Sequence, residues 1–268
     1  WSSKTCDILA ELRGFHQRAV VSLSFDATGK FLASVGLDDE HSIAVYDWEN
    51  KKVLANSKGD SKRIFNCEYN PHDGRIVTVG EKHIKFWTVE NGYLVGKNGV
   101  FGRLGKPSTI LSIAFGSDGS TFTGTQHGII YQWADGGEEC LQKYEAVHQG
   151  PVHDLFVTED YVITGGGDGK IHFFTQYMEK VFTIDMGRVG ESIIDDRGKP
   201  VCYYDGHSPS VKSLYLAGVQ LLVGTASGEL YEFDLSTEDA WKRNRRIITQ
   251  GHSNVFDPAT GLYGAELW

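Results

Sequence analysis

Cysteine is scarce in this chain, with only Cys6, Cys67, Cys140 and Cys202 among 268 residues, and successive cysteines lie 61 to 73 residues apart. That spacing excludes the close pairs used by zinc sites and redox motifs, and a reducing compartment is the simplest setting. Long apolar runs are missing too. No stretch approaches the roughly 18 residues of a membrane span, and no charged-then-apolar signal segment occurs at the start of the given sequence, so no membrane partner is expected. Basic residues are in deficit, 26 against 35 acidic, for a formal charge of −9 and a pI near 5.6. This balance opposes a general nucleic-acid binder, whose phosphate contacts need a clustered positive surface. Sustained 3.6-residue periodicity with caps is also lacking, so little helix is expected.

What the chain does have is a repeat. FLASVG, RIVTVG, STFTGT, YVITGG and QLLVGT each place a small residue in one column: Ser34, Thr78, Thr123, Thr164 and, degenerately, Val223. The intervals are 44, 45, 41 and 59 residues. Each run is followed nine to twelve residues after that column by Tyr46, Trp87, Trp133, Phe174 or Phe233, and each is preceded by a turn signal such as Asp26 to Gly29 or Asn70 to Gly74. Upstream lie VVSLSF, IFNCEY, ILSIAF, VHDLFV and VKSLYL. These strands are too continuously apolar for a sheet with one wet face, whereas a propeller blade is covered by a neighbour on each side. A period near 44 is the length of one four-stranded blade. The fold class expected is therefore all-β: a β-propeller of about five full blades with partial blades at both ends.

The spacing divides the chain at 1–13 for the end of a preceding blade, then 14–58, 59–100, 101–144 and 145–183 for four blades. A fifth blade at 184–250 carries a long Gly-rich, charged insertion before VKSLYL, and 251–268 reads as the start of another. Trp1 lies 45 residues before Tyr46, in the aromatic column of a preceding repeat. The chain thus reads as the ordered part of a longer polypeptide.

Period and strand order resemble the WD-repeat family, in which a Gly-His opens each repeat and a Trp-Asp closes it. The signature here is eroded: blade one has Gly14, Phe15 and His16 and closes on Tyr46-Asp47. The family's hydrogen-bond network joins an opening His, a Ser or Thr, a turn Asp and the closing Trp. Judged by position, only blade four offers three of these four, in His148, Thr164 and Asp168, and Phe174 has no indole donor. Blade three has His127 at the turn-Asp position, blade five has Ser227, and blade two has a shortened GEKHIKFW turn.

Other clusters invite a chemical reading and yield a structural one. GGGDG at 165–169 lacks the Gly-Lys-Ser/Thr of a phosphate loop and no helix pattern follows it, so it reads as a hairpin turn. DDEH at 38–41 gathers cation-binding groups, yet sits where a widened turn belongs. His148 and His153 are not spaced for a helical zinc pair. Neither a Ser in a nucleophile elbow nor a Cys beside a plausible base occurs, and Ser227 in TASGEL is a turn residue. No enzyme activity, metal or cofactor is expected.

The manner of erosion carries a more specific resemblance. SVGLDDEHSIAVYDW, VGEKHIKFWTVENG, KNGVFGRLGKPSTILSIAF, VTEDYVITGGGDGKIHFF, LVGTASGELYEFD and QGH, in this order, resemble the echinoderm microtubule-associated-protein-like family across essentially the whole chain. The resemblance implies the latter blades of that family's first propeller and a scaffold without enzymatic activity. It also implies tubulin or a microtubule as partner, with other cytoskeletal or axonemal proteins beside it, and a cytoplasmic, cytoskeletal location that extends to the cilium. A different class of module, recruiting a peptide or substrate to a signalling or ubiquitin-ligase complex, is the alternative. Against the acidic background, WKRNRRI at 241–247 concentrates Lys242, Arg243, Arg245 and Arg246, the candidate contacts to an acidic partner, with Lys58, Lys62 and Arg63 as a weaker second cluster.

Overall fold

Runs rich in β-branched and aromatic residues, separated by Asp, Asn and Gly turns, become strands throughout the computed structural model. It describes residues 2, 4–189, 209–237, 245–249, 255–257 and 262–264. Trp1, the insertion at 190–208 and the end of GAELW lie outside the described residues. The chain divides into two compact units, 1–145 and 146–268.

The first unit holds three antiparallel four-stranded sets. Blade one is β1 (Val20–Phe25), β2 (Phe31–Gly36), β3 (Ile43–Asp47) and β4 (Lys52–Ser57). Blade two is β5 (Ile64–Tyr69), β6 (Ile76–Gly80), β7 (His83–Glu90) and β8 (Tyr93–Asn98), and blade three is β9 (Ile110–Phe115), β10 (Thr121–Thr125), β11 (Ile130–Trp133) and β12 (Cys140–Tyr144). A single parallel bridge, Asn56 to Tyr93, joins the outer strands β4 and β8, so blades one and two form one continuous sheet.

The second unit repeats the pattern. Blade four is β13 (Val152–Val157), β14 (Val162–Gly166), β15 (Lys170–Phe174) and β16 (Lys180–Asp185), and one turn of helix, α1 (Met186–Val189), follows it. Blade five is β17 (Val211–Ala217), β18 (Gln220–Thr225), β19 (Leu230–Asp234) and β20 (Arg245–Thr249), with a hairpin of β21 (Val255–Asp257) and β22 (Leu262–Gly264) beyond it.

Burial explains the composition of each strand. The second strands β6, β10 and β14 are buried at every position, whereas the outer β8 is exposed at all but Leu94. The apolar cores lie between consecutive blades. One joins Ala33, Val35 and Ile43 of blade one to Ile64, Cys67 and Trp87 of blade two, and another joins Ile163, Ile171 and Phe173 of blade four to Leu214, Val223 and Phe233 of blade five. Each fully buried Phe or Ile contributes about 1.5–3 kcal/mol relative to an exposed one.

The innermost strands need a second device, because each pairs on one side only and leaves N–H groups on its free edge. Strands β1, β5, β13 and β17 all show a register shift at their second residue, a recurrent bulge that interrupts the ladder there. The preceding blade then supplies acceptors. Cys67 and Tyr69 N–H donate to Ser22 Oγ at 3.1 Å and Ser24 Oγ at 3.0 Å, while Leu214 N–H donates to the Asp154 carboxylate at 2.7 Å. Together these features are those of β-propeller blades, three four-stranded sets in the first unit and two in the second among the described residues.

Candidate functional site

Loops enter and leave each blade beside the Ser/Thr column, and buried polar chains fasten them there. The register is the same in all five blades: Tyr46, Trp87, Trp133, Phe174 and Phe233 each pair with the residue two before the column. An aromatic side chain therefore returns onto the column hydroxyl wherever it has a polar donor.

Blade two carries the chain complete. Trp87 Nε1–H donates to Thr78 Oγ1 at 2.8 Å, Thr78 lies 2.8 Å from His83 Nε2, and His83 Nδ1 lies 3.0 Å from Asp60 Oδ2. A carboxylate only accepts, so Nδ1 carries the proton, Nε2 accepts from the threonine, and every bond runs in one direction. Positional reading singled out blade four alone because the acid and the imidazole have exchanged places here: Asp60 comes from the entering loop and His83 from the hairpin turn. Burial lowers the His83 pKa, against the opposing pull of Asp60. Burial alone would raise Asp60, but the Lys62 N–H and His83 outweigh it and hold the carboxyl below its usual range.

In blade four the structure brings His148, Thr164 and Asp168 together, with His148 Nδ1 2.9 Å from Asp168 Oδ1 and Nε2 2.7 Å from Thr164 Oγ1. Burial would raise Asp168, but the His148 N–H and the Gln149 and Lys170 backbone N–H groups hold it well below the carboxylate range. The chain stops at Thr164, since Phe174 has no donor. Blade one lengthens it instead: His16 bonds Ser34 at 2.6 Å and Ser42 at 3.2 Å, and Ser42 donates to Asp38. The Tyr46 phenol replaces the indole on Ser34. Blade three keeps only Trp133 to Thr123, at 2.9 Å, and blade five has Val223 in the column, with Thr225 donating to Glu229 at 2.6 Å.

One sequence signal marks the blades that hold an imidazole. The residue two after the column is Gly36, Gly80 or Gly166 in blades one, two and four, but Thr125 or Thr225 in blades three and five. A Cβ at Gly36 would lie 2.3 Å from His16 Nδ1, and one at Gly166 would lie 2.2 Å from His148 Nδ1. At Gly80 the obstacle is the Arg63 carbonyl oxygen, 2.0 Å away, so the glycine admits the entering loop that carries Asp60.

His148, Asp168 and His172 place possible metal-ligand atoms within 4.8 Å of one another. Their geometry suits a stacked, hydrogen-bonded cluster. The two imidazoles are stacked, with centroids 4.5 Å apart and planes 28° from parallel, so their in-plane lone pairs do not converge on one ion. Both His148 nitrogens are engaged, and His172 Nδ1 lies 2.7 Å from Thr183 Oγ1. Burial, with the nearby His148, pushes His172 down to about 4.

The groups of DDEH diverge: Asp38 accepts from Ser42, Asp39 from Arg18 at 2.8 Å and Glu40 from Lys58, while the His41 ring meets the Asp60 carbonyl at 3.0 Å. GGGDG forms the β14–β15 turn and Ser227 lies in the β18–β19 turn. His153 pairs with Lys212 at 2.8 Å. Of the cationic candidates, Arg245 and Arg246 open β20, opposite Phe233 and Glu232. Lys242 and Arg243, and the side chains of both arginines, lie outside the described residues.

Comparison with known proteins places this geometry. Residues 1–233 match the family model described as the echinoderm microtubule-associated protein first beta-propeller. The 77 kDa echinoderm microtubule-associated protein of Strongylocentrotus purpuratus is 33% identical over 249 residues, covering 90% of this chain and 35% of that protein. Echinoderm microtubule-associated protein-like 1 of Rattus norvegicus is 32% identical over 171 residues, covering 62% of this chain and 21% of that protein. The chain thus spans about a third or less of the length of these relatives. Among solved structures, the computationally designed Ika8 protein superposes with a TM-score of 0.60 at 19% identity, covering 90% of this chain and 64% of the other, a likeness of fold alone. Matched over most of its length and built from the blades described above, the chain belongs to the echinoderm microtubule-associated protein family, in the region of its first β-propeller.

Proposed function

We propose that this chain is the propeller part of a non-enzymatic scaffold that binds tubulin or the microtubule, with an axonemal setting as the narrower form of that role. The observation that carries the reading is the family match over residues 1–233, together with relatives named for microtubule association. A fold alone would not warrant it. The polar clusters support a scaffold. His83 and His148, the residues a catalyst would use, are buried with both ring nitrogens committed within their blades. Their work is to hold loops in place, which gives a binding surface rigidity and keeps the ordering cost of association low.

Co-sedimentation with stabilised microtubules tests the reading, with gel filtration against unpolymerised tubulin alongside. The chain should pellet with the polymer or co-elute with the dimer, and failure of both removes the proposal. Reversing Lys242, Arg243, Arg245 and Arg246 together should weaken binding and flatten its salt dependence; unchanged binding would clear that cluster of any role.

A further inference from the structure

An open groove of about 610 Å³ lies where the loops of blades one and two meet, lined by Arg18, Leu37, His41, Lys62, Arg63 and Glu81 among others. We propose that this groove is a binding site for an acidic peptide segment, with Lys62 and Arg63 as the anchoring cations and Arg18 as a recruitable third.

The charges favour that ligand. Two of the three carboxylates that line the groove are already satisfied, Asp39 by Arg18 and Asp38 by Ser42, and the neighbouring Asp60 is held by His83 and its own loop. Glu81 is the lining carboxylate that makes no ion pair among the described residues, so the cations outnumber the uncompensated acid. Among the described residues Lys62 and Arg63 make no ion pair, although both are exposed in a chain of net charge −9. The Arg18–Asp39 pair is itself solvated, its side chains 62% and 84% exposed. Such a pair is worth about 0–1 kcal/mol, so an incoming carboxylate can take Arg18 at little cost. Leu37 adds an exposed apolar contact.

The lip bearing the cations is held from several directions, which distinguishes it from a solvated loop. Gly59 and Asp60 N–H both donate to the Glu40 carbonyl at 3.0 Å, and Lys85 Nζ donates to the Gly59 carbonyl at 2.9 Å. The Asp60 carbonyl meets the His41 ring, Lys62 N–H donates to Asp60 Oδ1 at 3.0 Å, and the Arg63 carbonyl accepts from Glu81 N–H at 2.8 Å. Gly59 and Gly80 permit these approaches, since a Cβ on either would lie 2.1 or 2.0 Å from a carbonyl oxygen. With the backbone fixed in this way, only the side-chain rotamers of Lys62 and Arg63 remain to be ordered when they engage a ligand.

The ligand chemistry stands on the groove itself, while tubulin as the natural source of such a segment rests on the reading above. The test is fluorescence anisotropy of a labelled ten-residue oligoglutamate peptide at low and moderate salt, against the wild-type chain and Lys62→Glu/Arg63→Glu. Wild type should bind saturably, and the double reversal should lose roughly tenfold or more in affinity. Lys62→Arg/Arg63→Lys should retain binding within about threefold, as should Lys30→Glu/Lys52→Glu, which changes net charge equally at another end of blade one. Absence of saturable binding by wild type, or equal loss in both charge reversals, overturns the proposal. Microtubule pelleting of the same variants separates the two readings. Groove-dependent peptide binding without wild-type pelleting keeps the site and removes tubulin; pelleting with peptide binding indifferent to Lys62 and Arg63 does the reverse.

Discussion

Blades two and four place an acid, an imidazole and a threonine in one hydrogen-bonded line, and they differ in where the line starts and how it ends. In blade two the acid enters from the loop and the imidazole from the hairpin, while blade four has the opposite order. Blade two closes on the Trp87 indole; blade four closes on Phe174 and stacks His172 against His148 instead. The chemistry is therefore indifferent to which segment carries which partner, provided one group is an obligate acceptor and the glycine two after the column leaves space. What is not interchangeable is the number of buried groups that depend on the central hydroxyl: two in blade two, one in blade four.

That count leads to the largest expected effect. Thr78→Val keeps the shape of the side chain but strands both the Trp87 N–H and the His83 Nε2, and at about 1–3 kcal/mol for each orphaned buried group it should cost roughly 2–5 kcal/mol. Thr164→Val strands only His148 Nε2 and should cost about 1–3 kcal/mol. Urea denaturation of the two variants reads the difference. Equal losses would mean that the indole bond adds nothing and that the comparison between the blades is empty.

The two units also differ in what covers the free edge of an inner strand. Between blades one and two the acceptors are Ser22 and Ser24, which do not titrate; between blades four and five the acceptor is Asp154, beside the His153–Lys212 pair. Burial pushes the Asp154 carboxyl up to about 6, against the donated N–H groups of Leu214 and Leu155. A carboxyl whose folded value is raised binds its proton more tightly in the folded chain than in the unfolded one. Its contribution to stability therefore grows as the pH falls from about 7 toward 4, and above about 6 the charged form counts against folding. Asp154→Asn keeps an acceptor for Leu214 and removes the titration. The stability of the variant relative to wild type should accordingly decline by about 1–3 kcal/mol between pH 7.5 and 4.5. A constant difference across that range would show that the carboxylate is better solvated than its position implies.

Much of the fold was legible because blade strands announce themselves locally: a turn, an apolar run, a small residue with glycine, and an aromatic return. The column at Ser34, Thr78, Thr123 and Thr164 and its aromatic partners fall in one register because period-2 alternation fixes which residues face each other. The blade-four chain was legible because its members kept the positions usual for the resemblance. Blade one keeps the same offset, Asp38 four after Ser34, but crediting three members to blade four alone missed it because Ser42 stands between His16 and Asp38. Asp60 and His83 are 23 residues apart, and nothing local in GDSKR or GEKH shows that they meet. Gly36, Gly80 and Gly166 were the available clue, because a glycine inside an otherwise β-branched strand asks what approaches it. The cross-blade acceptors, Ser22 to Cys67 and Asp154 to Leu214, lie 45 and 60 residues apart. These separations nearly equal the repeat intervals of 44 and 59, so the period itself was the signal. The groove beside Lys62 and Arg63 is built from four stretches, at Arg18, Leu37 to His41, Ser61 to Arg63 and Glu81, and is visible only once they are folded.

The smallest expected effect asks whether blade four can be made to end as blade two does. Phe174→Trp adds an indole at the position equivalent to Trp87, paired with the residue two before the column in the shared register, where its N–H can donate to Thr164. The new bond should return about 0.5–1.5 kcal/mol, while fitting a larger ring beside His172 and the neighbouring core costs a comparable 1–3 kcal/mol. Phe174 is 7% exposed and meets the His172 ring edge-on at 5.9 Å, so little free volume exists for the added atoms. The net should be a change in unfolding free energy of no more than about 1–2 kcal/mol, and Thr164→Val in the Phe174→Trp background should then cost more than it does alone. That coupling, read by a double-mutant cycle, is the decisive quantity. If the two substitutions prove additive, the indole has not reached Thr164, and the stacked His172 has replaced the closing Trp in packing rather than merely left its place unfilled.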